Sequence, residues 1–197
     1  MTLKITPEIE EYIKMQRTGY GNADIARCYE KDINGIYLNI EKHLPQNAQS
    51  VLDIGCGVGG IDLEIYTHYD GNIRLNLLDY SEMQGNYYGF NSTGGKYNHL
   101  GLTELFLDIN GVKRKNIRIY DANNGYPSGR FDIIISLISC GFHYPVQTYL
   151  EKIKESRNGI VILDIRKGTG QIEILRDNFN SVETIAEFTK CERVLLK

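Results

Sequence analysis

The stretch Val51-Leu52-Asp53-Ile54-Gly55-Cys56-Gly57-Val58-Gly59-Gly60 decides the fold of this chain. Its opening residues form an apolar run interrupted by one acid, the pattern of a buried strand, and the glycines after it make a turn that opens a helix. Glycines at 55, 57 and 59 lack the β-carbons that would keep a ligand off the backbone, and they tolerate positive φ. Gly55, Gly57 and Gly60 also satisfy G-x-G-x-x-G, the dinucleotide fingerprint, and Asp53 separates the two readings. A carboxylate two residues before the first glycine repels a pyrophosphate and attracts a ligand that carries positive charge.

Outward from this block, strands and helices alternate, which predicts a mostly parallel sheet with helices on both faces. Strands are expected at 50–54, 73–79, 116–121, 131–137 and 159–165, and helices from about Gly59 to Tyr69, Leu100 to Asn110, 146 to 156 and 169 to 178. Val182 to Phe188 and Glu192 to Leu196 read as two closing strands around Thr189-Lys190-Cys191, a spacing compatible with a hairpin. Upstream, 7–17 and about 22–44 read as helices broken by Thr18-Gly19-Tyr20-Gly21-Asn22, with Thr6-Pro7 as cap and first-turn proline. The expected organisation is a helical extension or lid over 1–46 and one ligand-binding domain over 47–197. Gln84 to His99 is long, rich in Gly, Asn and Tyr, and reads as a functional loop.

These motifs, in this order, resemble class I S-adenosylmethionine-dependent methyltransferases from about Val51 to the C-terminus. Asp53-x-Gly55-x-Gly57-x-Gly59 matches the first motif of that family, and Asp79, 26 residues later at the end of the second strand, matches its ribose-binding acid. Tyr80 and Met83 supply the apolar surface after that acid, Asp121-Ala122 falls where the family contacts adenine, and Phe131 to Ser136 fits the fourth strand. The resemblance implies a Rossmann-like fold of seven strands with a C-terminal antiparallel hairpin, S-adenosylmethionine as cofactor, and a cofactor shell of Asp53, Gly55, Gly57, Gly59, Asp79, Tyr80, Met83, Asp121, Ala122 and Ser136.

Methyl transfer from a sulfonium is an in-line displacement, so the protein aligns donor and nucleophile and, for a hydroxyl acceptor, removes a proton. Ligands of such sheets sit past the carboxyl ends of the strands. Strand four runs there into Leu137 to Pro145, where His143 is the candidate general base and Tyr144 a candidate acceptor contact. Arg17, Tyr20 and Arg27 near the glycine break, and Arg166 past strand five, are candidate acceptor or anion contacts. Each has a plain alternative: a loop histidine that packs, or an arginine on a solvated face. The Asp/Asn/Ser-Pro-Pro-aromatic signature of amino-methylating nucleic-acid enzymes is missing, and Asp164 is followed by Ile165 and Arg166, so no complete metal set is visible. Ser136 to Leu150 loosely resembles small bacterial methyltransferases that modify surface-polysaccharide precursors, including phosphoramidate modifications.

The 197 residues carry a net charge of −3 with lysine and arginine scattered, which favours a small-molecule acceptor over nucleic acid. Four cysteines far apart fit reduced thiols better than a zinc site or disulfides. No stretch is long and apolar enough for a membrane span and the first residues lack a signal-peptide pattern, so a cytoplasmic protein with no membrane partner is expected. The resulting expectation is O-methylation of a sugar, nucleotide-linked or phosphorylated metabolite. Its rivals are an NAD(P)-dependent oxidoreductase, against which Asp53 and the hairpin speak, and a non-catalytic S-adenosylmethionine-binding protein.

Overall fold

A computed structural model describes residues 2–20, 24–82, 89–93, 95 and 98–197. In chain order the elements are α1 (Pro7–Gln16), α2 (Ile25–Leu38), β1 (Ser50–Ile54), α3 (Gly60–His68), β2 (Arg74–Asp79), α4 (Leu100–Ile109), β3 (Ile117–Asp121), β4 (Phe131–Ser136), α5 (Leu150–Ser156), β5 (Arg157–Arg166), α6 (Gln171–Asn178), β6 (Val182–Glu187) and β7 (Cys191–Leu196). The expected seven-stranded sheet forms, in the order β3-β2-β1-β4-β5-β7-β6. β1 pairs in parallel with β2 and β4, and β7 runs antiparallel between β5 and β6.

All five residues of β1 are buried, because its lane is covered on both faces. Val51, Leu75, Leu77, Ile133, Ile135 and Ile162 join one core with residues of α1 to α4; Leu52, Ile54, Ile134, Val161, Leu163 and Val194 join the other with α5 and α6. The period-two alternation of strand side chains produces this division. Leu3, Ile9, Tyr12, Ile13, Tyr29 and Ile33 are part of the first core, so residues expected in a helical extension pack directly on the domain. At roughly 0.8 kcal/mol per buried methylene, this apolar face stabilises α1 and α2 far more than their helix propensity does.

Two element ends differ from expectation. α2 stops at Leu38, because Asn39 turns its side chain back onto the Gly35 carbonyl (2.6 Å) and buried Ile40 draws the chain into a short 3₁₀ turn. β5 begins at Arg157, directly after α5, and a register shift against β4 between Phe131 and Ile133 accommodates the added residues. Met83 and half of the 84–99 loop (84–88, 94, 96 and 97) lie outside the described residues. No helix among the described residues is long and apolar enough to cross a membrane, and none of their His, Cys, Asp and Glu side chains form a group able to hold a metal ion.

Candidate active site

The strand order reverses at β1, which has β2 on one side and β4, reached by the crossover from β3, on the other, and a crevice opens at its carboxyl end. The glycine turn lies there. Gly55 has φ +81°, and a β-carbon on it would come within 1.9 Å of Ser139 Oγ, so only glycine allows this loop to meet the segment after β4. The Gly60 amide, at the start of α3, donates to Tyr29 Oη (3.1 Å), and Thr103 Oγ1 donates to the Gly57 carbonyl (2.5 Å). α2 and α4 thus clamp the turn from both sides.

Asp53 ends almost fully buried on the cavity wall, and no donor reaches its Oδ1 or either oxygen of Asp62 on α3. Burial pushes both acids up, Asp53 well above the ordinary carboxylate range and Asp62 to about 7; for Asp53 the neighbouring Asp62 charge adds to the effect. The two carboxyls lie within hydrogen-bond reach once one is protonated, so a single shared proton is the arrangement that burial favours. A group whose folded pKa is raised binds protons more readily folded than unfolded, so it costs stability as pH climbs through that window. Asp62→Asn, neutral at every pH, should therefore match the parent in melting temperature only below the unfolded carboxyl value of 3.8. It should exceed the parent by about 3–8 °C at pH 8 in thermal unfolding, corresponding to a gain of roughly 1–2 kcal/mol.

Asp79, at the tip of β2, is also buried. Its Oδ2 accepts from the Gly57 amide (3.0 Å), while Oδ1 accepts from the Tyr80 amide (2.7 Å) and from Asn98 Nδ2. Burial raises Asp79 to about 6, against the lowering effect of those three donors. Asn98 belongs to a wider network: its Oδ1 accepts from Tyr12 Oη (3.0 Å) and Gln16 Nε2 (2.5 Å), and Tyr12 Oη accepts in turn from the His99 amide (3.2 Å). α1 is thereby tied to the carboxylate that matches the ribose acid.

Past β4, Ser136 Oγ donates to the Ile54 carbonyl (2.7 Å) and accepts from the Cys140 amide (2.9 Å), so this buried serine joins β1 to the loop instead of facing the cavity. The loop carries Ile138 at φ +56°, a left-handed conformation that strains a β-branched residue. His143 lines the cavity with Nδ1 3.0 Å from the Gly89 carbonyl. A carbonyl only accepts, so Nδ1 carries the proton and Nε2 keeps its lone pair. Burial holds the His143 pKa below its ordinary value, with Arg166 adding to the effect, so the ring is neutral at pH 7.

The structure brings Asp53, Gly55, Gly57, Asp79, Tyr80, His143, Tyr144 and Arg17 to this one cavity. The other expected residues lie elsewhere. Gly59 caps α3. Asp121 caps the turn Ala122–Asn124 by accepting from the Asn123 amide (2.9 Å), and neither it nor Ala122 lines the cavity. Tyr20 donates to Asp32 (2.6 Å), Arg27 is exposed on α2, and Arg166 donates to the Phe142 carbonyl (2.8 Å) with its guanidinium 4.4 Å from the centre of that ring. Arg166 thus holds the loop that carries His143. Gln16, Tyr29, Asn98 and Ser139 were missed. They come from segments far apart in sequence, and only the Tyr29 position on the Ile25, Tyr29, Ile33 face of α2 had a periodic signal, one that reads as core.

Among solved structures, a ribosomal protein L11 methylase from Lactobacillus delbrueckii subsp. bulgaricus superimposes with a TM-score of 0.58 at 17% identity, over 81% of this chain and 74% of that one. The magnesium protoporphyrin IX methyltransferase of Synechocystis PCC 6803, solved with bound SAM, does so with a TM-score of 0.56 at 17% identity, over 95% and 93%. The fold is that of the class I S-adenosylmethionine-dependent methyltransferases. A T. thermophilus 16S rRNA N2 G1207 methyltransferase, in complex with AdoMet and guanosine, matches 91% of this chain with a TM-score of 0.58 at 13% identity; the match spans 44% of that chain. No family model and no curated protein matches the sequence. These neighbours correct the expectation of a small-molecule acceptor with nucleic acid excluded, since the fold serves enzymes named for rRNA and for a ribosomal protein. Net charge was a poor guide: beyond about 8 Å surface charges are screened, so acceptor binding depends on local charges near the cleft.

Proposed function

We propose that this chain is an S-adenosylmethionine-dependent methyltransferase that acts on an oxygen acceptor. One observation carries the reading: an unpartnered buried Asp53 oxygen, the glycine turn, Asp79 and a neutral His143 all face a single cavity at the sheet's switch point. The residues fit the cofactor. The Asp53–Asp62 pair, with its one shared proton, and Asp79 provide the negative wall that a cationic ligand needs, and the Asp53 oxygen without a donor suits the cofactor's ammonium group. Asp79, an acceptor for about four donors, already takes three from Gly57, Tyr80 and Asn98, so its remaining position suits a ribose hydroxyl. When bound, the cofactor supplies the methyl group. His143 Nε2 takes the acceptor's proton, and Tyr144 and Arg17 border the space for the acceptor.

The narrower reading, O-methylation of a sugar, nucleotide-linked or phosphorylated (including phosphoramidate) unit of a surface-polysaccharide precursor, is supported only by the loose resemblance of Ser136 to Leu150. Parallel titration calorimetry with S-adenosylhomocysteine and NADH tests the cofactor, and micromolar binding of the first with no heat from the second is the expected result. NADH binding alone would reject the reading in favour of an oxidoreductase. A mass-spectrometric search for methylated products across carbohydrate, nucleotide, RNA and protein acceptors then tests transfer; no methylated product with any class would leave a cofactor-binding protein.

A further inference from the structure

A second cleft, of about 590 Å³, lies between α2 and the turn joining β6 to β7, and it shares Arg17, Ile36 and Ile138 with the cavity described above. Ile138, the strained residue, stands at the junction. Within the cleft the exposed ring of Phe188 has the guanidinium of Arg193 5.2 Å from its centre, and Phe142 and Ile36 supply further apolar wall. Its two carboxylates are occupied: Asp164 makes two bonds to Arg193 (2.8 and 2.9 Å), and Asp32 accepts from Tyr20. Among the described residues, the side chains of its cations Arg17, Lys31 and Lys190 have no carboxylate partner.

We infer that this cleft takes a nucleotide unit, its base against Phe188 and its phosphate on the rim cations, and that it presents this unit to the methyl-transfer cavity; the inference rests on the methyltransferase reading. A flat π-face on an exposed aromatic side chain is a sequence-tolerant base contact, and unpaired cations beside it recognise phosphate. The size lies within the roughly 300–1,000 Å³ of ligand sites. The three shared lining residues make the two spaces immediate neighbours, as an acceptor and a methyl donor require.

Calorimetry with UMP and uridine, with and without saturating S-adenosylhomocysteine, tests this. UMP should bind at least tenfold tighter than uridine. Phe188→Ser and Lys190→Glu, both at exposed positions outside the cofactor cavity, should each weaken UMP at least fivefold while leaving S-adenosylhomocysteine affinity unchanged. Equal affinity for UMP and uridine, or UMP binding indifferent to both substitutions, overturns the inference. Expected UMP behaviour without S-adenosylhomocysteine binding would remove the methyltransferase reading and keep the nucleotide cleft; the reverse pattern would do the opposite. A single-stranded RNA hexamer that binds at least tenfold tighter than UMP assigns the unit to a polymer, and equal binding assigns it to a free or carrier-linked nucleotide.

Discussion

Replacing His143 with alanine should lower turnover by roughly 10²–10⁴-fold, the range of a lost general base, while S-adenosylhomocysteine binds almost as before. The structure gives this expectation its direction. The Gly89 carbonyl fixes the proton on Nδ1, leaving Nε2 as a base at the cavity, and burial keeps the ring neutral at pH 7. Since the His143 pKa is lowered, the base form is present above that pKa, and kcat in the parent should fall only as pH drops below about 6.5. The substitution should abolish that limb. Loss of both binding and turnover would mark His143 as a support of the loop, and unchanged turnover would mean the acceptor needs no base.

Asp79→Ala should weaken S-adenosylhomocysteine at least tenfold, because a ribose hydroxyl loses a charged acceptor whose bond is worth about 1.5–3 kcal/mol before water compensates. Its three present donors complicate the experiment. Alanine also orphans the amides of Gly57 and Tyr80, so the loop itself can shift. Asp79→Asn keeps the shape and one acceptor oxygen and serves as the folded control; circular dichroism must match the parent for either variant to be read. The raised Asp79 pKa, about 6, gives a second handle: the charged form accepts best, so cofactor affinity should decline below pH 6 in the parent. That limb belongs to KM and the His143 limb to kcat, so the two titrations are separable. Unchanged affinity in a folded Asp79→Ala protein would remove the ribose assignment.

Sequence legibility tracked how locally each feature is determined. Val51 to Gly60 could be read because burial on both faces and a positive-φ turn each impose residue types within ten positions, and the hairpin because two short strands flank a turn. Asp79 was found by its place at a strand tip. The Tyr12, Gln16, Asn98 network was invisible, since Asn98 lies more than 80 residues from the other two and all three are common polar types. Arginines misled for the same reason. Arg17 reaches the cavity, but Arg166 is committed to Phe142 and Arg27 stays in solvent, and nothing in neighbouring letters distinguishes the three.

β7 is the seventh strand in chain order yet fills an inner lane, and it brings Arg193 to Asp164 across 29 residues. Both side chains are about 1% exposed. Removing either partner from the folded sheet leaves the other charge buried and uncompensated, which costs about 3–5 kcal/mol. The hairpin covers the apolar strip of β5 that would otherwise be an open sheet edge. The ion pair thus makes the parallel part of the sheet and its closing hairpin interdependent, so that damage to one is felt as instability in the other.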